Sequence, residues 1–144
     1  MEYQKGDYII PTNKNKLQLN VIHKYLSEEA YWCKNIPFET VKKSIENSFC
    51  FGIFYKEKQI GFARVITDYA TFAYLADVFI LKSHRGKGLS KWLMQIIMQC
   101  PDLQGLRRWM LITGDAHGLY EKHAGFKLIG NPERFMEKRL IEKY

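Results

Sequence analysis

The stretch SHRGKGLSKWLM, Ser83 to Met94, sets a basic glycine loop directly against an apolar helical pattern. Gly86 and Gly88 lack a Cβ, so the backbone there can turn several N–H groups toward one point. From Leu89 onward, Leu89, Trp92, Leu93, Ile96, Ile97 and Cys100 recur at offsets 0, 3, 4, 7, 8 and 11, the stripe of a helix facing a core. Pro101 ends it. The first helical turn adds unpaired N–H groups and the positive end of the dipole, and Arg85, Lys87 and Lys91 add formal charge. The stretch predicts a strand, loop and helix that together hold an anion.

Working outward, TFAYLADVFIL predicts a nearly all-apolar strand covered on both faces, with Asp77 as its exception. The glycine loop follows its carboxyl end, where α/β proteins bind ligands. Upstream, SFCFGIFYKEKQIGFARVITD reads as two strands joined by a polar turn at Lys56 to Lys58. Before them, KLQLNVIHKYL puts Leu19, Ile22 and Leu26 on one helical face. A second helix starts near Pro37, capped by Asn35, with Phe38, Val41 and Ile45 inward. GDYIIPTN gives a first strand ending at Pro11. Downstream, RRWMLIT reads as a short strand and HGLYEKHAG as a helix stopped at Gly125. FKLIG and ERFMEKRL read as last strands, the second burying Phe135 and either Met136 or Leu140. This order of elements is an α/β fold on a mixed sheet.

No Pro/Gly/Ser-rich linker interrupts the 144 residues, so residues 1–144 are expected to form one domain. Twenty-two basic against 15 acidic residues give a net charge of +7, dispersed along the chain. Such a surplus attracts anions without choosing among a phosphorylated ligand, nucleic acid and an acidic substrate. No recognition-helix or RNA-binding signature is present, so a nucleic-acid partner is not expected. No apolar run approaches the roughly 18 residues that cross a bilayer. The amino terminus lacks a signal peptide's hydrophobic region, and a cytoplasmic protein is the expectation. Cys33, Cys50 and Cys100 fit neither a disulfide framework nor a zinc spacing, so reduced thiols and no metal are expected.

Two phosphate loops are excluded by spelling. A P-loop needs four residues between its glycines, and Gly86 and Gly88 are separated by one. The dinucleotide fingerprint needs a third glycine where Lys91 stands.

DVFILKSHRGKGLSKWLM instead resembles the central motif of the GNAT superfamily of N-acetyltransferases, of the small bacterial type. The signature Gln/Arg-x-x-Gly-x-Gly/Ala is carried by Arg85, Gly88 and Ser90, the last a departure that keeps a small side chain. HGLYEKHAGF resembles the family's second motif, with His123 and Ala124 making its turn one residue longer than usual. The resemblance implies a mostly antiparallel sheet, splayed at the cofactor strand and flanked by about four helices. It implies acetyl-CoA as co-substrate, its pyrophosphate on the backbone of Arg85, Gly86, Lys87, Gly88, Leu89 and Ser90. The pantetheine arm would lie along Val78, Phe79 and Ile80, where that strand parts from the next around Trp109 to Thr113.

The implied reaction moves an acetyl group directly from the thioester to a primary amine of a small molecule or peptide. The N–H of Ile80 would meet the developing oxyanion. Tyr120 would serve the leaving sulfur. A phenol near pKa 10 and a thiol near 8.5 put full proton transfer uphill by about 2 kcal/mol, so Tyr120 is expected to act first as a hydrogen-bond donor. Asp77 either takes the amine's proton, binds an ammonium, or is a structural aspartate. Asp68, Asp115, His117 and His123 are lesser candidates. Arg64 pairs Asp77, binds a substrate carboxylate or faces solvent. Tyr31 and Trp32 are expected to line the acceptor pocket, with Phe38, Tyr69, Phe72 and Tyr74 left open. A non-catalytic acyl-CoA sensor on the same fold is the alternative function, and a homodimer is compatible with either.

Overall fold

The structure, a computed structural model, describes residues 1–144. Six strands form one sheet in chain order: β1 Glu2–Lys5, β2 Tyr8–Pro11, β3 Phe49–Tyr55, β4 Lys58–Thr67, β5 Phe72–Ile80 and β6 Arg108–Met110. All neighbours are antiparallel except β5 and β6, which run parallel. Parallel neighbours need a crossover, and the helix α3, Leu89–Gln99, supplies it. The remaining helices are α1 Leu19–Glu28, α2 Phe38–Glu46 and α4 His117–Ala124. No helix is long and apolar enough to cross a membrane.

The sheet is covered on both faces. One core joins Ile22, Tyr25, Leu26, Val41 and Ile45 of α1 and α2 to Phe62 and Phe79 of the sheet. The other joins Leu89, Leu93 and Ile97 of α3 and Tyr120 of α4 to Phe51, Val65, Leu75 and Ile80. Central strands therefore carry apolar residues on both sides, which is why β5 reads as a continuous apolar run.

Strict alternation along β5 fails at one point. Ala73 and Leu75 join the α3 core, as does Ile80, whereas Phe79 joins the α1/α2 core. The phase changes because Arg64 pairs Ala76 while Phe62 pairs Phe79, leaving Asp77 and Val78 opposite the single residue Ala63. That is a bulge. Asp77 takes φ +54 there, a conformation aspartate tolerates better than most residues. Period-2 reasoning puts Asp77, Phe79 and Leu75 on one face; the bulge separates Leu75 from Phe79.

β5 and β6 pair only at Phe72–Arg108, Ala73–Trp109 and Tyr74–Met110. Beyond Tyr74 they diverge, and Leu75 to Ile80 has no strand on that side. The splay is therefore present, opening just past Met110.

Several elements differ from expectation. The amino terminus forms a hairpin rather than one strand; β1 is a polar, mostly exposed edge and carries no apolar period. Phe126–Gly130 and Glu133–Leu140 contain no strand, only a 3-10 turn at Pro132–Arg134. Met136 and Leu140 are 97% and 81% exposed, and Phe135 lies by the Arg108 guanidinium at the sheet edge instead of in the core. Asn35 does not cap α2; it takes φ +65 in the preceding turn, and Pro37 is the cap residue. The extra residue of the second motif lengthens α4 rather than its turn. Ala124 is the last helical residue, and the N–H groups of Gly125 and Phe126 both return to the Tyr120 carbonyl.

Gly61 of β4 pairs with Ile80 at the carboxyl end of β5. A Cβ there would lie 3.0 Å from Phe79 O, Ile80 Cδ1 and Ile53 Cδ1 alike. Gly61→Ala should lose about 1–3 kcal/mol of stability, read as a lower urea midpoint at unchanged slope.

Candidate active site

The loop after β5 is built to leave its nitrogens free. Lys82–His84 make a 3-10 turn, and the chain then passes through Gly86 at φ +77 and Gly88 at φ +76 before α3 begins. Left-handed φ at two alternate positions is least costly for glycine. The first α3 bond runs from Trp92 N–H to Gly88 O, so the N–H groups of Gly86 through Lys91 have no backbone partner. No atom lies within 4 Å of where a Cβ at Gly86 or Gly88 would stand. A cavity of about 140 Å³ opens there, lined by Ile80, His84, Arg85, Gly88, Ser90 and Lys91 among others. Lys87 and Lys91 are without carboxylate partners.

The Arg85 guanidinium does not point at this cavity's anion position as a free charge. Its Nε donates to Ile80 O at 2.9 Å and its Nη2 to Tyr25 Oη at 3.0 Å. Tyr25 in turn stacks on Phe79, centroids 4.0 Å apart. Arg85 thus fastens the loop to the end of β5 and to α1, and its own N–H is spent on Lys82 O, so the unpartnered run begins at Gly86 and not, as expected, at Arg85. Behind the loop, His84 Nδ1 and Tyr8 Oη are 2.9 Å apart. Burial, Lys87 and Lys58 push the imidazole toward its neutral form.

A second, larger cavity of about 1080 Å³ lies along the splay. Val78 and Asp77 of β5, Tyr31 and Trp32 between α1 and α2, Gly114 and Tyr120 face it. Tyr74 lines it as well. Phe38 instead packs edge-on against His23, Tyr69 projects from the β4–β5 turn near Phe49, and Phe72 is absent from the cavity wall.

Arg64 resolves to the first of its three alternatives. Its Nε donates to Asp77 Oδ2 at 2.8 Å, and its Nη1 to Ser48 Oγ at 3.2 Å. Asp77 Oδ1 accepts from Trp32 Nε1 at 3.1 Å. Asp68 is spent on its own turn, accepting from the N–H groups of Ala70, Thr71 and Phe72 and from Thr71 Oγ1. Those bonds hold its carboxyl well below the usual range. His117 is exposed and does not cap α4; Thr113 Oγ1 accepts the Ala116 N–H instead.

Tyr120 is reached by both cavity and core. It is nine-tenths buried, pinned by Phe126 edge-on at 6.1 Å. Burial above all, then Tyr31 and Asp115, push its phenol up to about 12. The thiols offer no nucleophile: burial raises Cys33 and Cys50 to about 12 and raises Cys100 as well.

Several contributors escape the sequence. Tyr25 sits in the apolar stripe of α1, indistinguishable from core until Arg85 is seen on its hydroxyl. Gly114 N–H donates to Tyr31 Oη at 2.9 Å, a contact 83 residues apart that no local pattern signals. Arg139, in the segment that reads as a strand, also lines the large cavity, as do Ile141 and Tyr144 beyond it.

A sheet splayed beside a glycine-opened, helix-led anion loop, with a buried phenol across the gap, defines an acyl-CoA-type transferase site. The chain belongs to the acetyltransferase (GNAT) family, whose model matches residues 19–126, and is an acetyl-CoA-dependent acetyltransferase. A GNAT-family protein of Xanthomonas campestris pv. campestris is 49% identical, with a TM-score of 0.89 over 92% of this chain and 93% of that one. A protein of Gibberella zeae named as an acetyltransferase is 34% identical over 87% of this chain and 82% of its own length. An acetyltransferase structure from Clostridium acetobutylicum that contains acetyl-CoA shares the fold, with a TM-score of 0.68 over 92% and 95% of the two chains at 14% identity.

The Tyr120 phenol should titrate well above an ordinary phenol. A phenol raised by folding stabilises the fold fully below its unfolded value near 10 and loses that contribution as pH rises toward 12. Ultraviolet difference titration against Tyr120→Phe should therefore show one tyrosinate fewer only above about pH 11; a difference near pH 10 would contradict the burial.

Proposed function

We propose that residues 1–144 act as one N-acetyltransferase domain that moves an acetyl group from acetyl-CoA directly to a primary amine. The observation that carries this reading is the run of unpartnered N–H groups from Gly86 to Lys91 at the end of a strand whose other edge is bare. Acetyl-CoA, which supplies the activated thioester, suits both features. Its pyrophosphate fits a cradle of N–H groups at a helix start flanked by Lys87 and Lys91. Its amide-bearing arm suits the open edge of Leu75 to Ile80 as an added strand would. The acetyl-CoA found in the Clostridium acetobutylicum relative supports the same use of the fold.

Tyr120 donates a hydrogen bond to the departing sulfur. With its phenol near 12, full proton transfer to a thiolate of ordinary basicity is uphill by about 5 kcal/mol. Donation without transfer is the role that remains: the thiolate leaves hydrogen-bonded to the phenol, the amine nitrogen sheds its proton to solvent, and the thiolate takes one up from solvent to give coenzyme A. Direct transfer also agrees with thiols held protonated by burial, since no side chain here is activated to carry an acetyl group. The large cavity receives the acceptor, with Tyr31, Trp32 and Tyr74 offering ring faces to an apolar or cationic amine. A sensor that only binds acyl-CoA would need the loop and the splayed edge but not a buried phenol facing the cavity.

Purified protein with acetyl-CoA and a panel of spermidine, phenethylamine and a lysine-containing peptide should release coenzyme A and gain 42 Da on at least one amine, the mass of an acetyl group replacing a proton (about 42). Binding without turnover across a wide amine panel would favour the sensor. Gly88→Glu should abolish acetyl-CoA binding in calorimetry while the chain stays folded. The substitution meets open space, and its left-handed strain of about 1–2 kcal/mol is small against a typical stability. Tyr120→Phe should lower kcat by about 10- to 100-fold with acetyl-CoA affinity changed less than twofold. Equal turnover would remove Tyr120 from the mechanism.

A further inference from the structure

We propose that Asp77 is a positioning residue: it ties down an aromatic strap, Tyr31–Trp32, that sets where the acceptor amine sits against the cofactor strand. The inference rests on the acetyl-transfer reading above. It replaces the two chemical roles that the sequence offers for Asp77, proton acceptor and ammonium site, with a mechanical one.

Both carboxylate oxygens are already committed. Oδ2 accepts from the Arg64 guanidinium at 2.8 Å and Oδ1 from the Trp32 indole at 3.1 Å. The Arg64 and Asp77 side chains are only 15% and 13% exposed. Protonating Asp77 would strand a largely buried guanidinium whose only other partner is Ser48 Oγ, and an unpaired buried charge is far costlier than an intact pair. With both oxygens so engaged, Asp77 presents no free acceptor to an incoming amine. The cavity has another carboxylate, Asp115, that makes no ion pair, and a further one, Glu142, that lies 3.8 Å from the Arg139 guanidinium.

Tyr31 and Trp32 are 58% and 43% exposed, so packing alone does not hold them. They are held at both ends. The Trp32 indole rests on the β5 bulge through Asp77, and the Tyr31 hydroxyl accepts the N–H of Gly114 in the loop leading to α4. The rings brace each other edge-to-face at 5.1 Å. The strap therefore spans from the cofactor strand to the segment that carries Tyr120. Gly114 suits this crossing, because a Cβ there would lie 2.9 Å from the Tyr31 hydroxyl. The bulge explains why an aspartate stands at this point. Its φ of +54 demands a residue tolerant of left-handed backbone, and its carboxylate turns toward α1 and α2 rather than following Leu75 into the α3 core.

Asp77→Asn and Trp32→Phe separate the roles. Asparagine tolerates the same backbone but offers one acceptor oxygen where two donors compete. Trp32→Phe removes only the indole donor and leaves the Arg64–Asp77 pair intact, so it folds even if Asp77→Asn does not. The amine of the panel turned over fastest is the acceptor probe. The expected result for both variants is an acceptor KM raised about 10-fold, kcat lowered less than about threefold, and an unmoved acidic limb in the pH profile of kcat/KM. Acetyl-CoA affinity should stay within about twofold. A kcat loss of about 100-fold or more in Asp77→Asn, with the acidic limb abolished and Trp32→Phe behaving as wild type, would overturn the proposal and make Asp77 the base. A readout without turnover keeps the two readings apart. In ¹⁵N spectra the Trp32 indole N–H, missing in Trp32→Phe and so assigned, should move upfield in Asp77→Asn; an unmoved resonance would refute the strap even if no amine in the panel reacts.

Discussion

Past Tyr74 and Met110 the parallel strands β5 and β6, the last two in the sheet order, part company, and the large cavity opens along the gap. Leaving the edge of Leu75 to Ile80 without a strand is expensive in a sheet, because main-chain donors and acceptors without partners cost free energy unless something meets them, as Arg85 Nε meets Ile80 O. Extending β6 by a few residues would satisfy them and close the cleft. The chain instead stops pairing after three residues and leads into Thr113, Gly114 and the turn that starts α4. The unsatisfied edge, the nitrogen-lined loop at its end and the phenol across from it are three consequences of one topological choice.

The bulge at Asp77 adds a second consequence. Inserting one residue into β5 opposite Ala63 reverses which face each later side chain meets. Phe79 is thereby delivered to Tyr25, and Tyr25 to Arg85, so the loop is fastened from below through a stacked ring pair and two hydrogen bonds. Without the phase change Phe79 would point into the α3 core and Arg85 would lose the hydroxyl it bonds. The signature arginine thereby acts through the scaffold, holding the loop in shape while Lys87 and Lys91 remain free to meet an anion.

The parts of this arrangement legible in the sequence are those encoded locally. Glycine spacing, the 3.6-residue stripe of α3 and the terminal Gly125 each act within one turn of chain, and each lies where the pattern places it. Tyr120 is readable because its motif is contiguous. The bulge is not readable, since a period-2 run with one extra residue looks like an unbroken run until the partner strand is known. Arg64 illustrates the same limit: three fates were open, and its ion pair depends on register across β4 and β5. The carboxyl-terminal residues mislead in the opposite sense. FKLIG and ERFMEKRL have strand composition, but composition describes a half-buried surface only when a neighbour is there to cover it, and Met136 and Leu140 face solvent.

On the proposed role of Tyr120, its burial raises an apparent paradox, because an acid is made weaker at the place where a leaving group needs help. The paradox dissolves once the energetics of the bond are separated from those of the proton. A phenol with its pKa near 12 is a poor proton source, yet it stays protonated near neutral pH, and its O–H is held in a largely buried setting where a hydrogen bond to developing negative charge is stronger than in water. The same desolvation that holds the phenol neutral holds Cys33 and Cys50 neutral, so one physical effect both equips the donor and silences competing nucleophiles. Charge is then allowed to appear only on the reacting groups, and the site meets it with fixed dipoles rather than with a mobile proton.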